Sequence, residues 1–171
     1  MLTRHLKTVL LAAVASTLSV SANAAVYGLN QSNIAPGSFS YTVNFSILSG
    51  NVGSLTGQVD SVFRSNGSTK ATGFDITDIL LSTGSLIKSD SEVTTPLAST
   101  FTKTTNSFSF SNGALAAGNY TLTVFGNSYS SNASFSGGFE VVTSPVPEAE
   151  TTAMIGLGLG LMGLISRRKK Q

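Results

Sequence analysis

The chain lacks the residues on which many enzyme active sites depend. Its 171 residues include no cysteine and no tryptophan, and the one histidine is His5. Disulfide bonds and thiolate chemistry are therefore excluded, and no histidine is left after residue 5 to serve as a general base or zinc ligand. Only 11% of the residues are charged. Stability must come from sheet packing and hydrogen bonding, or from calcium or neighbouring chains.

The N-terminus has the three parts of a secretory signal peptide. A positively charged segment precedes an apolar run at residues 9–20, and a small-residue A-x-A cleavage site follows. We predict a signal helix over residues 1–24 that signal peptidase removes, and the alternative is an uncleaved membrane anchor. The residues predicted to define the cleavage site are Ala22, Ala24 and Ala25.

The C-terminus combines a Pro-Glu pair, a short apolar run and a basic cluster. The apolar run covers residues 151–165. As a helix it would measure about 22 Å, less than the roughly 30 Å of a bilayer core, although snorkelling side chains and local thinning can accommodate the difference. We predict a single transmembrane helix with the basic cluster on the cytoplasmic side. The residues predicted to form the sorting and processing signal are Pro147, Glu148, Arg167, Arg168, Lys169 and Lys170.

Residues 146–170 resemble the PEP-CTERM sorting signal, in which a Pro-Glu-Pro box precedes a short Gly/Leu-rich helix and an Arg-rich cluster. Ala149 stands where that family usually has the second proline. The resemblance implies a Gram-negative envelope protein that an exosortase, a membrane protease, cuts near the Pro-Glu pair. A plain C-terminal anchor would have the same topology without cleavage, and this alternative stays open.

Between the two targeting segments there is room for one small domain. We predict a signal peptide at residues 1–24, an exported domain at 25–144 and a sorting tail at 145–171. The exported domain keeps four basic and six acidic residues, a formal charge of −2, because the other six basic residues lie in the targeting segments. No basic patch remains to hold phosphates, so we expect no nucleic-acid partner.

The composition of the exported domain predicts β-strands. Serine and threonine supply 38 of its 120 residues, a composition that suits strands and turns better than helices. Strict alternation of apolar and polar residues marks the clearest strand at residues 39–47. Residues 88–100, which include Pro96, are predicted to be a loop or an edge. The other predicted features are strands near 55–63, 73–81, 101–110, 115–124 and 135–142, a turn at Asn66 and Gly67, bulges or close approaches at Gly53 and Gly57, and entry to the last strand through Gly137 and Gly138.

Tyr120 gives the clearest tertiary signal. Gly118 precedes it, and Leu122 and Val124 follow in alternation. This order resembles the tyrosine corner of immunoglobulin-like sandwiches, in which the hydroxyl binds the backbone a few residues upstream. We therefore predict an all-β fold, a small antiparallel immunoglobulin-like β-sandwich of about seven or eight strands. The alternative is a surface tyrosine at an ordinary turn.

The order of segments in the exported domain also resembles the FxDxF-type PEP-CTERM proteins. An F-x-Y-x-V-x-F strand comes early, and an L-x-x-G-x-Y-T-L strand comes late. Tyr41 stands where the naming motif needs an aspartate, and Asp75 lies in the wrong register. Most members of that group have no assigned activity, so the resemblance implies none.

Candidate catalytic and metal-binding residues are few. Asp60, Asp75 and Asp78 could supply oxygen ligands to calcium, but no calcium-loop motif is present and we expect solvated surface residues. Asp75 with Glu140 could in principle serve as a glycosidase pair, but no tryptophan is available as a sugar platform. The serines lack a base that would activate them. We therefore predict no catalytic residue, no metal site and no cofactor.

These features predict an exported, non-enzymatic protein of the cell surface or extracellular matrix, structural or adhesive within exopolysaccharide or biofilm. Hydroxyl-rich strands favour weak, multivalent contact with polysaccharide over one deep pocket. We expect anchoring in the inner membrane before processing and an outer-surface or extracellular location afterwards. The expected partners are signal peptidase, an exosortase, the inner membrane and extracellular polysaccharide.

The alternative is a secreted module that binds carbohydrate, calcium or ice. Ice binding requires regular threonine ladders, and only Thr102 with Thr104 and Thr121 with Thr123 hint at one. An enzyme is the third possibility.

Overall fold

Nine β-strands make up most of the part of the chain that the structure describes. The computed structural model describes residues 22–83, 85–98, 100–146, 153–154 and 156–162. The strands are β1 (Asn23–Gly28), β2 (Gln31–Ile34), β3 (Gly37–Ile47), β4 (Asn51–Asn66), β5 (Thr69–Leu81), β6 (Ile87–Ala98), β7 (Phe101–Leu115), β8 (Gly118–Ser128) and β9 (Ala133–Pro145).

The two predicted targeting helices are largely outside this description. Residues 1–21 of the predicted signal helix are not among the described residues, and Asn23 and Ala24 belong to β1. Near the C-terminus, residues 153–154 and 156–162 are helical. No helix within the described residues combines the length and hydrophobicity required to cross a bilayer. The predicted transmembrane helix at 151–165 is therefore not confirmed.

The strands form a curled antiparallel sheet around β4. On one side β4 pairs with β7, which in turn pairs with β6. On the other side β4 pairs with β9 from Asn51 to Ser61, and β1 and β2 both pair with β9. β3, β8 and β5 form the remaining part of the sheet. The all-β prediction is confirmed, with nine strands in the described residues, and the immunoglobulin-like sandwich stays a prediction.

The β4–β5 hairpin connects the two parts of the sheet. The turn predicted at Asn66 and Gly67 is present, but Asn66 is the last residue of β4, and Gly67 and Ser68 form the turn, with a positive φ of 58° at Gly67. β5 stays paired with β4 as far as Gly73 and then pairs with β8. Gly73 has a φ of 95°, and a Cβ atom there would collide with the carbonyl oxygen of Val62. Glycine is therefore needed where the chain passes from one part of the sheet to the other.

The core lies between these two parts and is rich in aromatic rings. Phe45 of β3 lies 5.5 Å from Phe139 of β9, and Phe74 of β5 lies 5.2 Å from Phe135, measured between ring centroids. Ile47 of β3 is also buried. The alternation predicted for residues 39–47 is confirmed, because the odd-numbered residues of this segment belong to the core or pack against it.

Three local predictions concern the strands β6, β5 and β9. Residues 88–100, predicted as a loop or an edge, mostly belong to β6, an edge strand that tolerates Pro96 because only β7 pairs with it. A register shift between Ile76 and Asp78 explains the poor alternation in β5. Entry to β9 through Gly137 and Gly138 is wrong, because the strand begins at Ala133.

Gly137 and Gly57 lie at sites where neighbouring strands approach closely. A Cβ atom on Gly137 would collide with the carbonyl oxygen of Gln58. A Cβ atom on Gly57 would lie 2.5 Å from the ring of Phe110. The predicted bulge at Gly53 is also confirmed by the register shift between Gly53 and Leu55. Glycine inside these strands therefore serves packing between neighbours.

Candidate functional site

The N-terminal and C-terminal junctions of the exported domain lie at the same end of the sheet. β9 ends at Pro145, which pairs with Asn51, and the Val146 amide donates to the Gly50 carbonyl oxygen at 2.8 Å. β1 begins at Asn23, which pairs with Thr143. Because paired strands are about 4.8 Å apart, the two junctions are separated by a distance on the order of 10 Å.

The residues predicted for signal-peptide cleavage lie at the start of β1. Ala22 precedes the strand, while Ala24 pairs with Val142 and Ala25 pairs with Val141. Removal of residues 1–24 would leave residues 25–28 of β1, which still pair with β9. The tail residues Pro147, Glu148, Arg167, Arg168, Lys169 and Lys170 lie outside the described residues.

A different kind of polar site surrounds Asp75 on β5. Asp75 is only 5% exposed, and it is the one buried charged residue in the described part of the chain. Lys70 forms an ion pair with its Oδ2 atom, and the Tyr129 hydroxyl donates to the same oxygen at 3.3 Å. Asn106 Nδ2 donates to Oδ1 at 3.4 Å and to the Ile76 carbonyl oxygen at 3.1 Å. Both carboxylate oxygens therefore have donors.

The cation of this cluster also contacts aromatic rings. Lys70 Nζ lies 4.5 Å from the ring centroid of Phe63 and 5.8 Å from that of Tyr129. Partial burial lowers the pKa of Lys70, but the hydrogen bond and charge of Asp75 outweigh it and raise that pKa above its ordinary value. Burial also raises the pKa of the Tyr129 hydroxyl. At neutral pH the cluster therefore contains a lysine cation and a protonated tyrosine.

This arrangement is typical of a structural ion pair. The Asp75 carboxylate is fully engaged by donors, so it is poorly placed to act as a base or a metal ligand. Asn106 is almost fully buried, and its Oδ1 atom has no hydrogen-bond partner among the described residues. The expectation that Asp75 is a solvated surface residue is wrong, because Lys70 compensates its charge and other strands cover it. In the sequence, the one signal of this burial is the position of Asp75 between the apolar residues Phe74 and Ile76.

The three aspartates considered for calcium each have a separate environment. Asp78 forms an ion pair with Lys88 at 2.5 Å, and Asp60 accepts a hydrogen bond from Gln58 at 2.9 Å. The hydrogen bond from Lys88 holds the pKa of Asp78 below its ordinary value. In the described part of the chain, no three His, Cys, Asp or Glu side chains come together as a possible metal site.

The other candidate pairs are also placed by the fold. Glu140 is exposed on β9, and within the described residues no hydrogen bond or ion pair connects it to Asp75. Thr104 is buried and shares a 3.0 Å hydrogen bond with Thr94, so it cannot contribute to an exposed threonine ladder with Thr102.

The pair on β8 is different, because both of its threonines contact β3. Thr121 donates to Asn44 at 2.9 Å, and Thr123 lies within hydrogen-bonding distance of Thr42 at 3.4 Å. This is a short polar row across two antiparallel strands rather than a regular threonine ladder.

The outer face of β6, β7 and β4 carries rows of hydroxyl and amide side chains, and on β9 these rows meet Ser136, Gly138 and the exposed Glu140. Register partners extend these rows across the strands, so that Ser91, Ser107, Asp60 and Ser136 follow one another. We call this surface the hydroxyl face, and it consists of Thr56, Gln58, Asp60, Ser89, Ser91, Ser107, Ser109, Ser111 and Ser136. A depression of about 480 Å³ on it is bordered by several of these residues and by exposed Ile87. Sequence alone predicted hydroxyl-rich strands but not which strands are neighbours.

Comparison with known proteins assigns the C-terminal segment. Residues 145–170 match the family model of the PEP-CTERM protein-sorting motif. The match confirms the resemblance seen in the sequence, and it indicates an extracellular protein that an exosortase sorts. No curated protein and no solved structure matches the chain. Because the matched segment begins at residue 145, the FxDxF type stays a prediction for the exported domain.

Proposed function

We propose that this PEP-CTERM protein is a non-enzymatic structural or adhesive component of an exopolysaccharide matrix or biofilm. The sorting motif at residues 145–170 supports export and exosortase processing. The observation that carries the matrix role is the hydroxyl face, in which one row of polar side chains crosses four neighbouring strands from Ser91 to Ser136. The two neighbouring rows end on β9 at Gly138 and Glu140. In this proposal the tail anchors the protein in the inner membrane until it is cut, and the domain then reaches the outer surface.

The geometry of the hydroxyl face suits a repeating ligand. Neighbouring strands are about 4.8 Å apart, and side chains on one face repeat every 7 Å or so along each strand. Hydroxyl and amide groups at these intervals can exchange hydrogen bonds with successive sugar hydroxyls. The exposed side chain of Ile87 offers an apolar contact beside them for the C–H face of a sugar ring.

The energetics favour many weak contacts. Each neutral hydrogen bond contributes only about 0.5–1.5 kcal/mol after exchange with water, so one domain should bind one short glycan weakly. A long polysaccharide presents many identical sites, and several domains on it gain apparent affinity through effective concentration. Because most members of the hydroxyl face are uncharged, we expect this binding to change little with ionic strength.

Binding of the processed protein to exopolysaccharide extracted from the producing cells tests this role. The test variant replaces three exposed serines of the hydroxyl face with alanine, namely Ser89, Ser91 and Ser109. Losing about 0.5 kcal/mol per hydroxyl should weaken binding roughly tenfold in a co-sedimentation assay.

The control makes the same change at three exposed serines of β3, namely Ser38, Ser40 and Ser46. This control should bind like the parent protein, at low and at high salt. Equal affinity of the two variants, or binding that disappears in high salt, would contradict the proposed face.

Processing of the tail has its own test. Replacing Pro147 and Glu148 with alanine leaves the apolar run and the basic cluster unchanged, so the protein should still insert but should not be released. It should accumulate at full length in the inner membrane, as measured by mass spectrometry of its C-terminus. A plain anchor predicts equal amounts of parent and variant in the membrane, both retaining residues 151–171, and that result would reject processing at the Pro-Glu pair.

A further inference from the structure

Among the described residues, the end of the sheet from which the tail leaves carries no charged side chain. Three segments meet there, and we call them together the tail end: residues 46–54, 114–119 and 141–146. The register brings them together, because Gly53 pairs with both Leu115 and Thr143, and Ile47 pairs with Gly118. None of their residues is Asp, Glu, Lys or Arg.

The opposite end of the sheet, near the β4–β5 turn, carries charged side chains. Arg64 pairs with Lys103, and Lys70 pairs with Ser65 close to the β4–β5 turn. Along β9 the charged residue closest to the tail is Glu140, which lies just outside the tail end. Charge is therefore distributed unevenly along the strands, and the strand residues where the tail leaves are neutral, while the tail itself carries Glu148 and Glu150.

Several apolar side chains of the tail end are exposed. Leu48, in the turn between β3 and β4, is 71% exposed, and Val52 and Val146 are also open to solvent. Two backbone hydrogen bonds hold these residues close together, from Asn51 to the Leu48 carbonyl and from Val146 to the Gly50 carbonyl. Exposed apolar side chains without neighbouring charge are a feature of surfaces that contact an apolar partner.

We infer that the tail end lies against the lipid surface of the membrane while the tail is attached. This inference rests on the proposed membrane anchoring. Seven residue steps separate Val146 from residue 153, the first described helical residue, and an extended chain covers at most roughly 25 Å over that number. The tail end is therefore kept near the helical segment.

The N-terminal junction supports the same orientation. β1 starts beside Thr143 of the tail end, so an uncleaved signal peptide would leave from the same end as the tail. A neutral end avoids the penalty of bringing ionised groups towards a medium of low dielectric constant. Because no Lys or Arg side chain belongs to it, the tail end has no polybasic patch, and the contact should not require anionic lipids.

Single-tryptophan fluorescence can test this contact, since the chain has no tryptophan of its own. Leu48→Trp and Val52→Trp place reporters in the tail end. Val93→Trp is the matched control, because Val93 is an exposed aliphatic residue of β6 that pairs with Thr105 away from the tail end. Each chain, with residues 25–171 intact, is reconstituted into phosphatidylcholine vesicles that contain a bromine-labelled acyl chain.

We expect the bromolipid to quench the two tail-end reporters and aqueous iodide to quench the control at Val93. Adding phosphatidylglycerol should not change either result. If the protein floats with the vesicles but iodide quenches all three reporters equally, the tail end is not at the lipid surface and the inference is overturned. If the protein does not float with the vesicles, the proposed anchoring itself fails, and the inference fails with it.

Discussion

Replacing Tyr120 with phenylalanine isolates one hydrogen bond of the core. The Tyr120 hydroxyl donates to the carbonyl oxygen of Ala116, four residues upstream, at 2.8 Å, as the predicted tyrosine corner requires. Tyr120 is 8% exposed, and its ring stacks on Phe45 with centroids 5.3 Å apart. Phenylalanine keeps this stacking and removes only the donor. We expect the free energy of unfolding to fall by about 1 kcal/mol.

Urea unfolding followed by circular dichroism measures this change. With an m value of about 2 kcal/mol/M, the midpoint should fall by about 0.5 M. Tyr120→Ala should cost about 3–5 kcal/mol, because it also removes the ring from Phe45. Tyr41→Phe is the matched control, since the Tyr41 ring packs on Phe135 and its hydroxyl donates to no other described residue. Midpoints that are equal for the parent and Tyr120→Phe would refute the energetic role of this corner.

Two further predictions concern the Asp75 cluster and the packing of β4. The folded protein raises the pKa values of Lys70 and Tyr129 above their ordinary 10.5 and 10.0, so the stability they contribute is complete below about pH 10 and is lost as the pH rises through the folded values. Urea midpoints should therefore fall more steeply above pH 10 for the parent than for the double variant Lys70→Met with Tyr129→Phe, which lacks both groups, and parallel curves would contradict this. Gly57→Ala should destabilise the domain by about 1–3 kcal/mol, because its Cβ would lie 2.5 Å from the rings or side chains of two core phenylalanines. Gly113→Ala, with no atom within 4 Å, is the control, and equal urea midpoints for the two variants would contradict the close approach.

Structural features that depend only on residues close together in the chain could be predicted from the sequence. The alternation at residues 39–47 directly reflects one buried face, and the Tyr120 hydrogen bond spans only four residues. β6 has no such signal, because its side chains at residues 87–97 are exposed on both faces. Its extended conformation depends on backbone pairing with β7, which polar composition does not reveal.

The Asp75 cluster could not be predicted from the sequence. Its partners Lys70, Asn106 and Tyr129 come from three different parts of the chain, and the sheet register alone brings them to one carboxylate. An aspartate in a β-rich sequence is usually at the surface, so the burial of Asp75 could not be predicted without knowing which strands cover it. The hydroxyl face has the same origin, since each of its rows combines residues from separate strands.

The pairing of the first strand with the last makes the proposed membrane anchoring compatible with the proposed matrix contact. Because β1 and β9 are antiparallel neighbours, the start of β1 must lie beside the end of β9, and both targeting segments leave from one end. The domain can therefore stay attached at either or both junctions without passing a strand through the fold. Most of the hydroxyl face lies along the sides of the strands beyond that end, so the proposed membrane attachment would leave most of it open. We therefore expect anchoring and polysaccharide binding to be separable properties of the same domain.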